Sequence, residues 1–167
     1  MGQATWRLAA SMPERNFLGV EVHRPGVGRL LADLLANDIQ NVRIVNHDAI
    51  EVLETGLEAE SLSAIHLFYP DPWPKKRHQK RRIVRPGLVE LMVSRLGPGA
   101  YIYFVTDIED YANATLALLT ATKGLRNRYD GFASPQEWRP ETKFESRAKL
   151  AGRSCLELLF ERVQEAD

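Results

Sequence analysis

FLGVEVHRPGVGRLLADLLANDIQNVRIVN, residues 17–46, contains one complete strand–helix–strand pattern. The two ends of this stretch, 17–22 and 41–46, are short apolar runs rich in β-branched residues, which is typical of buried strands. Pro25 suits the first turn of a helix, the leucines that follow recur at helical spacing, and Asn37 suits the helix end. The stretch therefore predicts a β-α-β unit.

The same alternation recurs further along the chain. Segments 64–69 and 100–105 are again short apolar runs and predict two more strands. Between them, the apolar residues of 86–96 lie at helical spacing, and the pair Gly97 and Pro98 suits the end of that helix. A second strand–helix–strand unit is predicted to follow the first.

The remaining segments complete the predicted fold. A helix is predicted at about 109–122, followed by a loop rich in Gly, Pro and Trp at 131–141. By length, 155–163 could be a helix or a strand, and the charged tail behind it favours a strand. Strands that alternate with helices over short connections predict an α/β fold with a doubly wound, mostly parallel sheet. A length of 167 residues, 44% of them hydrophobic, suits a single domain, 1–167.

The composition argues against several classes of protein. The one cysteine, Cys155, lies in an apolar run and suits a reduced core residue of a cytoplasmic protein. The four histidines lack metal-ligand spacing, so no metal site is predicted. The sequence holds neither an apolar run of about 18 residues nor a secretion signal, so neither a membrane span nor export is predicted. Oligomeric state is not indicated.

Acidic residues lie at the ends of four predicted strands: Glu21 ends the first, and Asp48, Asp71 and Asp107 follow the second, third and fourth. In open α/β sheets, ligands bind beyond the carboxyl ends of the strands, so these acids are candidate site residues. Glu21 suits hydrogen bonds from ribose hydroxyls. Asp48 suits either an adenine amine or the cap of a helix that begins at Ala49. Asp107 lies in a Thr-x-x-Glu capping pattern, which alone would explain it.

Positive charge is concentrated in residues 75–85, which we call the basic segment. It holds seven Lys or Arg among eleven residues and no acid, which leaves 15 basic and 22 acidic residues elsewhere in a chain with no net charge. Such a run is most often a solvated surface. Here Tyr69 and Trp73 place aromatic rings beside it, a combination suited to RNA phosphates and exposed bases.

Taken together, FLGVEVHRPGVG, HDA, FYPDPWPKKRHQKRR, VTD and TKFE resemble, in this order, the bacterial tRNA (guanine-N7-)-methyltransferases. The resemblance runs from Gly2 to about Val163 and is carried chiefly by FYPDPWPKKRHQKRR. It implies a Rossmann-like fold, S-adenosylmethionine as cofactor, and tRNA as the partner that is methylated at N7 of guanosine 46.

The resemblance also implies roles for individual residues. Glu21 and Asp48 would bind the cofactor, and Asp71 would be both catalytic and cofactor-binding. The residues implied to bind the target guanosine are Lys75, Asp107, Thr142, Lys143, Phe144 and Glu145. Those implied to bind the RNA backbone are Arg77, His78, Gln79, Lys80, Arg81 and Arg82.

The sequence departs from the family pattern at its beginning. A member would start with a strand carrying an acid and a glycine-rich loop of the form ExGxGxG, whereas Met1 and Gly2 align with the tail of that loop. The chain is therefore expected to be an N-terminally truncated methyltransferase domain that lacks the first, central strand. A start codon placed at an internal methionine explains this better than a deletion does, because Met1 falls within the loop.

Two alternative functions stay open at this stage. One is a non-catalytic RNA-binding remnant of the family that has lost its cofactor pocket. The other is a Rossmann-like methyltransferase that acts on a different nucleic acid.

Overall fold

The computed structural model describes residues 2–164, which divide into two compact units. The first unit holds the described residues up to 52 together with 136–143, and the second holds 53–135 and the described residues from 144 onward. Met1, on which the expectation of a missing loop partly rests, lies outside the described residues. The single domain stays a prediction.

The first unit contains the predicted β-α-β pattern. Its elements are α1 (Gln3–Ser11), β1 (Phe17–Val20), α2 (Arg24–Ala36) and β2 (Val42–Val45), and α3 (Ala49–Thr55) begins at its end. β1 and β2 are parallel and in register from Phe17 opposite Val42 to Val20 opposite Val45. Buried leucines of α2 pack on this pair, so the prediction from residues 17–46 is confirmed, with shorter strands.

The second unit contains a four-stranded sheet. Its strands, in chain order, are β3 (Leu62–Phe68), β4 (Leu96–Thr106), β5 (Leu125–Asn127) and β6 (Leu156–Arg162). Its helices are α4 (Leu88–Arg95), α5 (Glu109–Ala121) and α6 (Lys143–Leu150), with a 3₁₀ helix at Lys76–Arg81. The strand order is β3-β4-β6-β5. β3 and β4 are parallel, whereas β6 is antiparallel to both of its neighbours.

Several predicted boundaries differ from the observed ones. Helix α4 begins at Leu88, two residues later than predicted, because Gly87 has a left-handed φ of 79° and its N–H is donated to the Glu90 carboxylate. Gly97 and Pro98, which were predicted to end this helix, lie in β4. A Cβ at Gly97 would lie 3.2 Å from the carbonyl oxygen of Glu60, just before β3, so this close approach of the backbone also accounts for the glycine.

Two local predictions at strand ends have clear outcomes. Segment 155–163 forms the strand β6, as its charged tail indicated. The capping box predicted at Thr106–Glu109 is wrong. Thr106 is buried as the last residue of β4, its hydroxyl accepts a hydrogen bond from the Ile108 N–H, and α5 has no side-chain cap.

The core of the second unit lies between its sheet and helices. Its fully buried members include Ile102 and Phe104 of β4, Leu158 and Phe160 of β6, and Tyr111 of α5. Among residues 2–164, no helix has the length and apolar character needed to span a bilayer. No cluster of three or more His, Cys, Asp or Glu side chains suited to a metal ion occurs in the same described range.

The buried hydroxyl of Tyr111 leads to the prediction that the protein loses stability at high pH. The Tyr111 ring is 1% exposed, and burial, together with the charge of Asp71, raises the pKa of its hydroxyl above the ordinary 10.0, against the opposing effects of the Val84 N–H and Arg82. The unfolded chain therefore loses this proton at lower pH than the folded chain does. We expect the free energy of unfolding to be undiminished below about pH 10 and to fall as pH rises through the raised value.

Urea denaturation between pH 8 and 11.5 checks this expectation. Tyr111→Phe cannot ionise at this position. Above pH 10, the unfolding free energy of the unaltered protein should therefore fall relative to that of Tyr111→Phe. Parallel pH profiles for the two proteins would contradict it.

Candidate functional site

Glu21 lies at the carboxyl end of the parallel pair in the first unit. Its N–H is donated to the Val45 carbonyl at 3.0 Å, and its own carbonyl accepts a hydrogen bond from the Asn46 side chain at 2.7 Å. One carboxylate oxygen accepts the His23 N–H at 2.9 Å. A carboxylate has about four lone-pair positions, so the half-buried Glu21 is held in place with acceptor capacity remaining.

Asp48 follows β2 at the same end of that pair. One carboxylate oxygen accepts the Ile50 N–H at 2.7 Å, so Asp48 caps the first turn of α3, as one of its two predicted roles requires. Its side chain is exposed. The cap occupies one of the two carboxylate oxygens, and the contact with a cofactor stays a prediction.

Asp71 and Asp107 follow the parallel strands β3 and β4 in the second unit. The register runs to Phe68 opposite Val105, and the Tyr69 N–H continues it with a 2.8 Å bond to the Val105 carbonyl. Parallel strands present their carboxyl ends at one edge, so both acids lie at the same edge of this sheet, as predicted. That all four acids surround one ligand stays a prediction.

The loop around Asp71 has an unusual backbone. Tyr69 and Trp73 have left-handed φ values of 50° and 42°, and Asp71 lies between them with a proline on either side. Left-handed φ costs bulky residues about 1–3 kcal/mol each, and such strain clusters at functional sites. The Asp71 side chain is exposed at this turn.

Asp107 is held by an arginine. Its carboxylate accepts a hydrogen bond from Arg153 Nε at 2.9 Å, and the aspartate side chain is only 18% exposed. The guanidinium keeps the carboxylate pointing in one direction. Arg153, which sequence reasoning did not single out, is thus a neighbour of this candidate site residue.

The Thr-Lys-Phe-Glu segment presents contrasting side chains. In the first unit, Thr142 is buried and Lys143 is exposed. In the second, the Phe144 ring is 48% exposed and stacks on Tyr69 with centroids 5.7 Å apart. Glu145 is buried, and its carboxylate lies 3.2 Å from the Lys149 ammonium. Phe144 therefore offers one open ring face, supported from behind by Tyr69.

Most of the basic segment is a 3₁₀ helix with exposed cations. Its exposed members within the predicted RNA-binding and guanosine-binding sets are Lys75, Arg77, Lys80 and Arg81. Arg81 lies over the Trp73 ring at 5.0 Å, and His78 meets the edge of the same ring at 5.9 Å. Arg77 Nε lies 3.2 Å from His78 Nε2. His78 and Gln79 are half-buried.

The prediction that Arg82 contacts RNA needs a correction, because the position of this side chain does not suit such a contact. It is only 6% exposed, and it donates hydrogen bonds to the Pro72 carbonyl and to the Asp110 carboxylate, both at 2.8 Å. Its guanidinium also lies 4.4 Å from the centre of the Tyr111 ring. The sequence carried no signal for this difference, since Arg81 and Arg82 are adjacent residues of one charged run.

Comparison with known proteins gives strong matches over almost the whole chain. The model of a family described as “Putative methyltransferase” matches residues 1–158. The chain is 47% identical over 162 residues to the tRNA (guanine-N(7)-)-methyltransferase of Paraburkholderia xenovorans (strain LB400). The aligned region covers 97% of this chain and 62% of that protein. The chain is 43% identical to the protein of the same name from Neisseria meningitidis serogroup C, covering 98% of this chain and 69% of that protein. The chain thus spans roughly two thirds of the length of these relatives.

Solved structures with low sequence identity share the fold. An rRNA methylase from Streptococcus thermophilus matches with a TM-score of 0.59 at 13% identity, covering 95% of this chain and 93% of that one. The N-methyltransferase NodS from Bradyrhizobium japonicum, in complex with S-adenosyl-L-homocysteine, matches with a TM-score of 0.57 at 15% identity, covering 97% and 86%. The predicted Rossmann-like methyltransferase fold is confirmed. With the sequence identities to the two bacterial relatives, these findings show that the chain belongs to the bacterial tRNA (guanine-N7-)-methyltransferase family.

Proposed function

We propose that this protein transfers the methyl group of S-adenosylmethionine to N7 of guanine in tRNA, at guanosine 46 of the variable loop. The observation that carries the proposal is the placement of Asp71. Its carboxylate lies on a strained turn beyond β3 that leads directly into the exposed cations of the basic segment. Family membership supports the same reading. A protein acting on tRNA in bacteria would work in the cytoplasm.

The proposed reaction does not require the protein to transfer a proton. Guanine N7 has an in-plane lone pair and carries no proton, so it can attack a methyl sulfonium without a general base. The bond from N7 to the methyl carbon forms as the bond from sulfur breaks, and the positive charge moves from sulfur to the purine. The protein must hold the reactants in line at about 3 Å and tolerate that charge.

Asp71 suits the electrostatic part of this task. An ionised carboxylate stabilises positive charge close to it both before and after transfer. We therefore assign to Asp71 the catalytic role and a contact with the cofactor near its methyl group.

The acids of the first unit fit the rest of the cofactor. S-Adenosylmethionine supplies an electrophilic methyl group and presents a ribose diol and an adenine amine, which are hydrogen-bond donors. Glu21 has carboxylate capacity beyond its bond to the His23 N–H, which suits the diol. Asp48 has a second carboxylate oxygen beyond its helix cap, which suits the amine.

Recognition of guanine is assigned to residues beyond β4 and around α6. Guanine N1–H and its amino group need acceptors, which Asp107 and Glu145 can supply. Adenine carries no N1–H and cannot supply this pair of donors to the two carboxylates, which is a basis for discrimination. The open face of Phe144 suits stacking of a base, and the exposed Lys75 suits a phosphate. Thr142 and Lys143 are proposed to add polar contacts to the guanosine.

Methylation of defined tRNA tests the proposal. The protein is incubated with S-adenosylmethionine carrying a labelled methyl group and an unmodified tRNA transcript. Nuclease digestion and mass spectrometry then identify the methylated nucleoside and its position. We expect 7-methylguanosine at position 46 and none in a transcript with adenosine there.

Two outcomes would favour the alternatives. Methylation of a different nucleic acid in preference to tRNA would show another methyltransferase activity. Binding of tRNA without transfer, together with no measurable binding of S-adenosylmethionine, would support the non-catalytic RNA-binding remnant.

A further inference from the structure

Arg82 is set apart from the other cations of the basic segment by its surroundings. Its side chain is 6% exposed, whereas the neighbouring Arg81 is exposed and lies over the Trp73 ring. A cation this deeply covered has little surface to offer a phosphate. Two of its nitrogens, Nε and Nη2, donate instead to groups of the protein itself.

The contacts of Arg82 join the Asp71 loop to helix α5. Nε donates to the carbonyl of Pro72, the residue directly after Asp71, at 2.8 Å. Nη2 donates to Asp110, in the first turn of α5, at 2.8 Å, and the guanidinium packs over the Tyr111 ring. Hydrogen bonds from a charged donor are roughly twice as strong as neutral ones, and the pairing with an aromatic face adds to them.

The Pro72 carbonyl is a sensitive point of this loop. It belongs to the peptide group that precedes Trp73, whose φ of 42° is left-handed, and the loop begins at Tyr69 with a φ of 50°. Residues in such conformations persist only where their surroundings hold them. A buried guanidinium bonded to the peptide between Pro72 and Trp73 is such a restraint.

We propose that Arg82 is a positioning residue for methyl transfer: it holds the loop that carries Asp71 against the start of α5, just after Asp107. This inference rests on the proposed function of Asp71. Arg82 touches neither the reacting atoms nor the RNA. It acts by keeping the Asp71 carboxylate in one orientation relative to the Asp107 edge of the same sheet.

Arg82→Lys tests the inference with the charge retained. A lysine has no planar fork and cannot bond the Pro72 carbonyl and Asp110 in the same geometry. We expect kcat to fall about tenfold or more, as misplacement of a reacting group does, with little change in KM for tRNA. The matched control, Arg126→Lys, makes the same change at an exposed arginine outside the basic segment and should leave kcat within about twofold.

Two further measurements separate positioning from RNA contact and from general destabilisation. In Arg82→Lys and in Arg82→Ala, the salt dependence of tRNA binding should keep its slope, because no phosphate contact is lost. Backbone ¹⁵N relaxation of Asp71 and Trp73 should show new motion in Arg82→Lys, with core amides of β4 unaffected. An effect on the fold as a whole would instead alter relaxation across both regions.

Several outcomes would overturn the proposal. An unchanged kcat in Arg82→Lys would do so, and so would a salt slope lowered by about one unit in Arg82→Ala, which would return Arg82 to the RNA-binding set. If Arg82→Lys fails to fold, Asp110→Asn removes the charged partner from the other side. That variant must then lower kcat and mobilise Asp71, and unchanged values of both would contradict the proposal.

Failure of the proposed function is distinguishable from failure of this inference. If the unaltered protein transfers no methyl group to tRNA, the proposed function fails. The relaxation measurement still reads the restraint on the loop, and unaltered relaxation of Asp71 and Trp73 in Arg82→Lys would overturn the positioning role by itself.

Discussion

Asp71→Asn is expected to slow methyl transfer about a hundredfold or more while leaving tRNA affinity within about twofold. The substitution preserves the shape of the side chain and removes its charge. The loss reflects the missing stabilisation of positive charge at the methyl donor and at the methylated base, and removal of one electrostatic group at such a site typically costs about 10²–10³ in rate. Single-turnover transfer of labelled methyl to tRNA measures it.

The control for this prediction is an aspartate of equal charge elsewhere. Asp130 is exposed in the loop after β5, and Asp130→Asn should leave transfer and binding unchanged. Because the basic segment is intact in Asp71→Asn, the RNA concentration needed for half-saturation should stay unchanged. Near-normal turnover in Asp71→Asn would remove this residue from the mechanism.

Replacing Arg77 and Arg81 together with alanine is expected to weaken tRNA binding strongly and to lower its salt dependence. Both side chains are exposed on the 3₁₀ helix, so each can neutralise a phosphate. Each lost phosphate contact reduces the slope of log affinity against log salt by about 0.7–0.9, so the pair should reduce it by about one and a half units. Fluorescence anisotropy with labelled tRNA between 50 and 200 mM salt measures the slope.

A second pair of exposed cations provides the control. Lys123 and Arg126 lie outside the basic segment, and their replacement by alanine removes the same charge from the protein. If both double variants change the slope equally, the effect comes from net charge alone. An unchanged slope in the Arg77 and Arg81 variant would mean that the basic segment is only a solvated surface.

Much of the local structure follows from sequence patterns. The short apolar runs at 17–22 and 41–46 and the leucine spacing between them led to β1, α2 and β2, because burial of one helix face on a parallel pair leaves that periodicity in the chain. β5 was not predicted, because three residues are too few to show a period. The pairing of β6 between β4 and β5, antiparallel to both, was also missed, since strand direction is set by how distant segments meet.

The candidate site shows the same division. The sequence by itself identified Asp71 between two prolines, the acids after successive strands, and the excess of charge in the basic segment, because composition and spacing carry that information directly. Only the tertiary structure decided which of two neighbouring arginines is exposed and which is buried. Arg81 faces solvent beside Trp73, while Arg82, one residue later, is buried against Pro72, Asp110 and Tyr111. A residue's charge is a property of the chain, but its exposure and its partners depend on residues such as Asp110, 28 positions away in sequence, that only folding brings into contact with it.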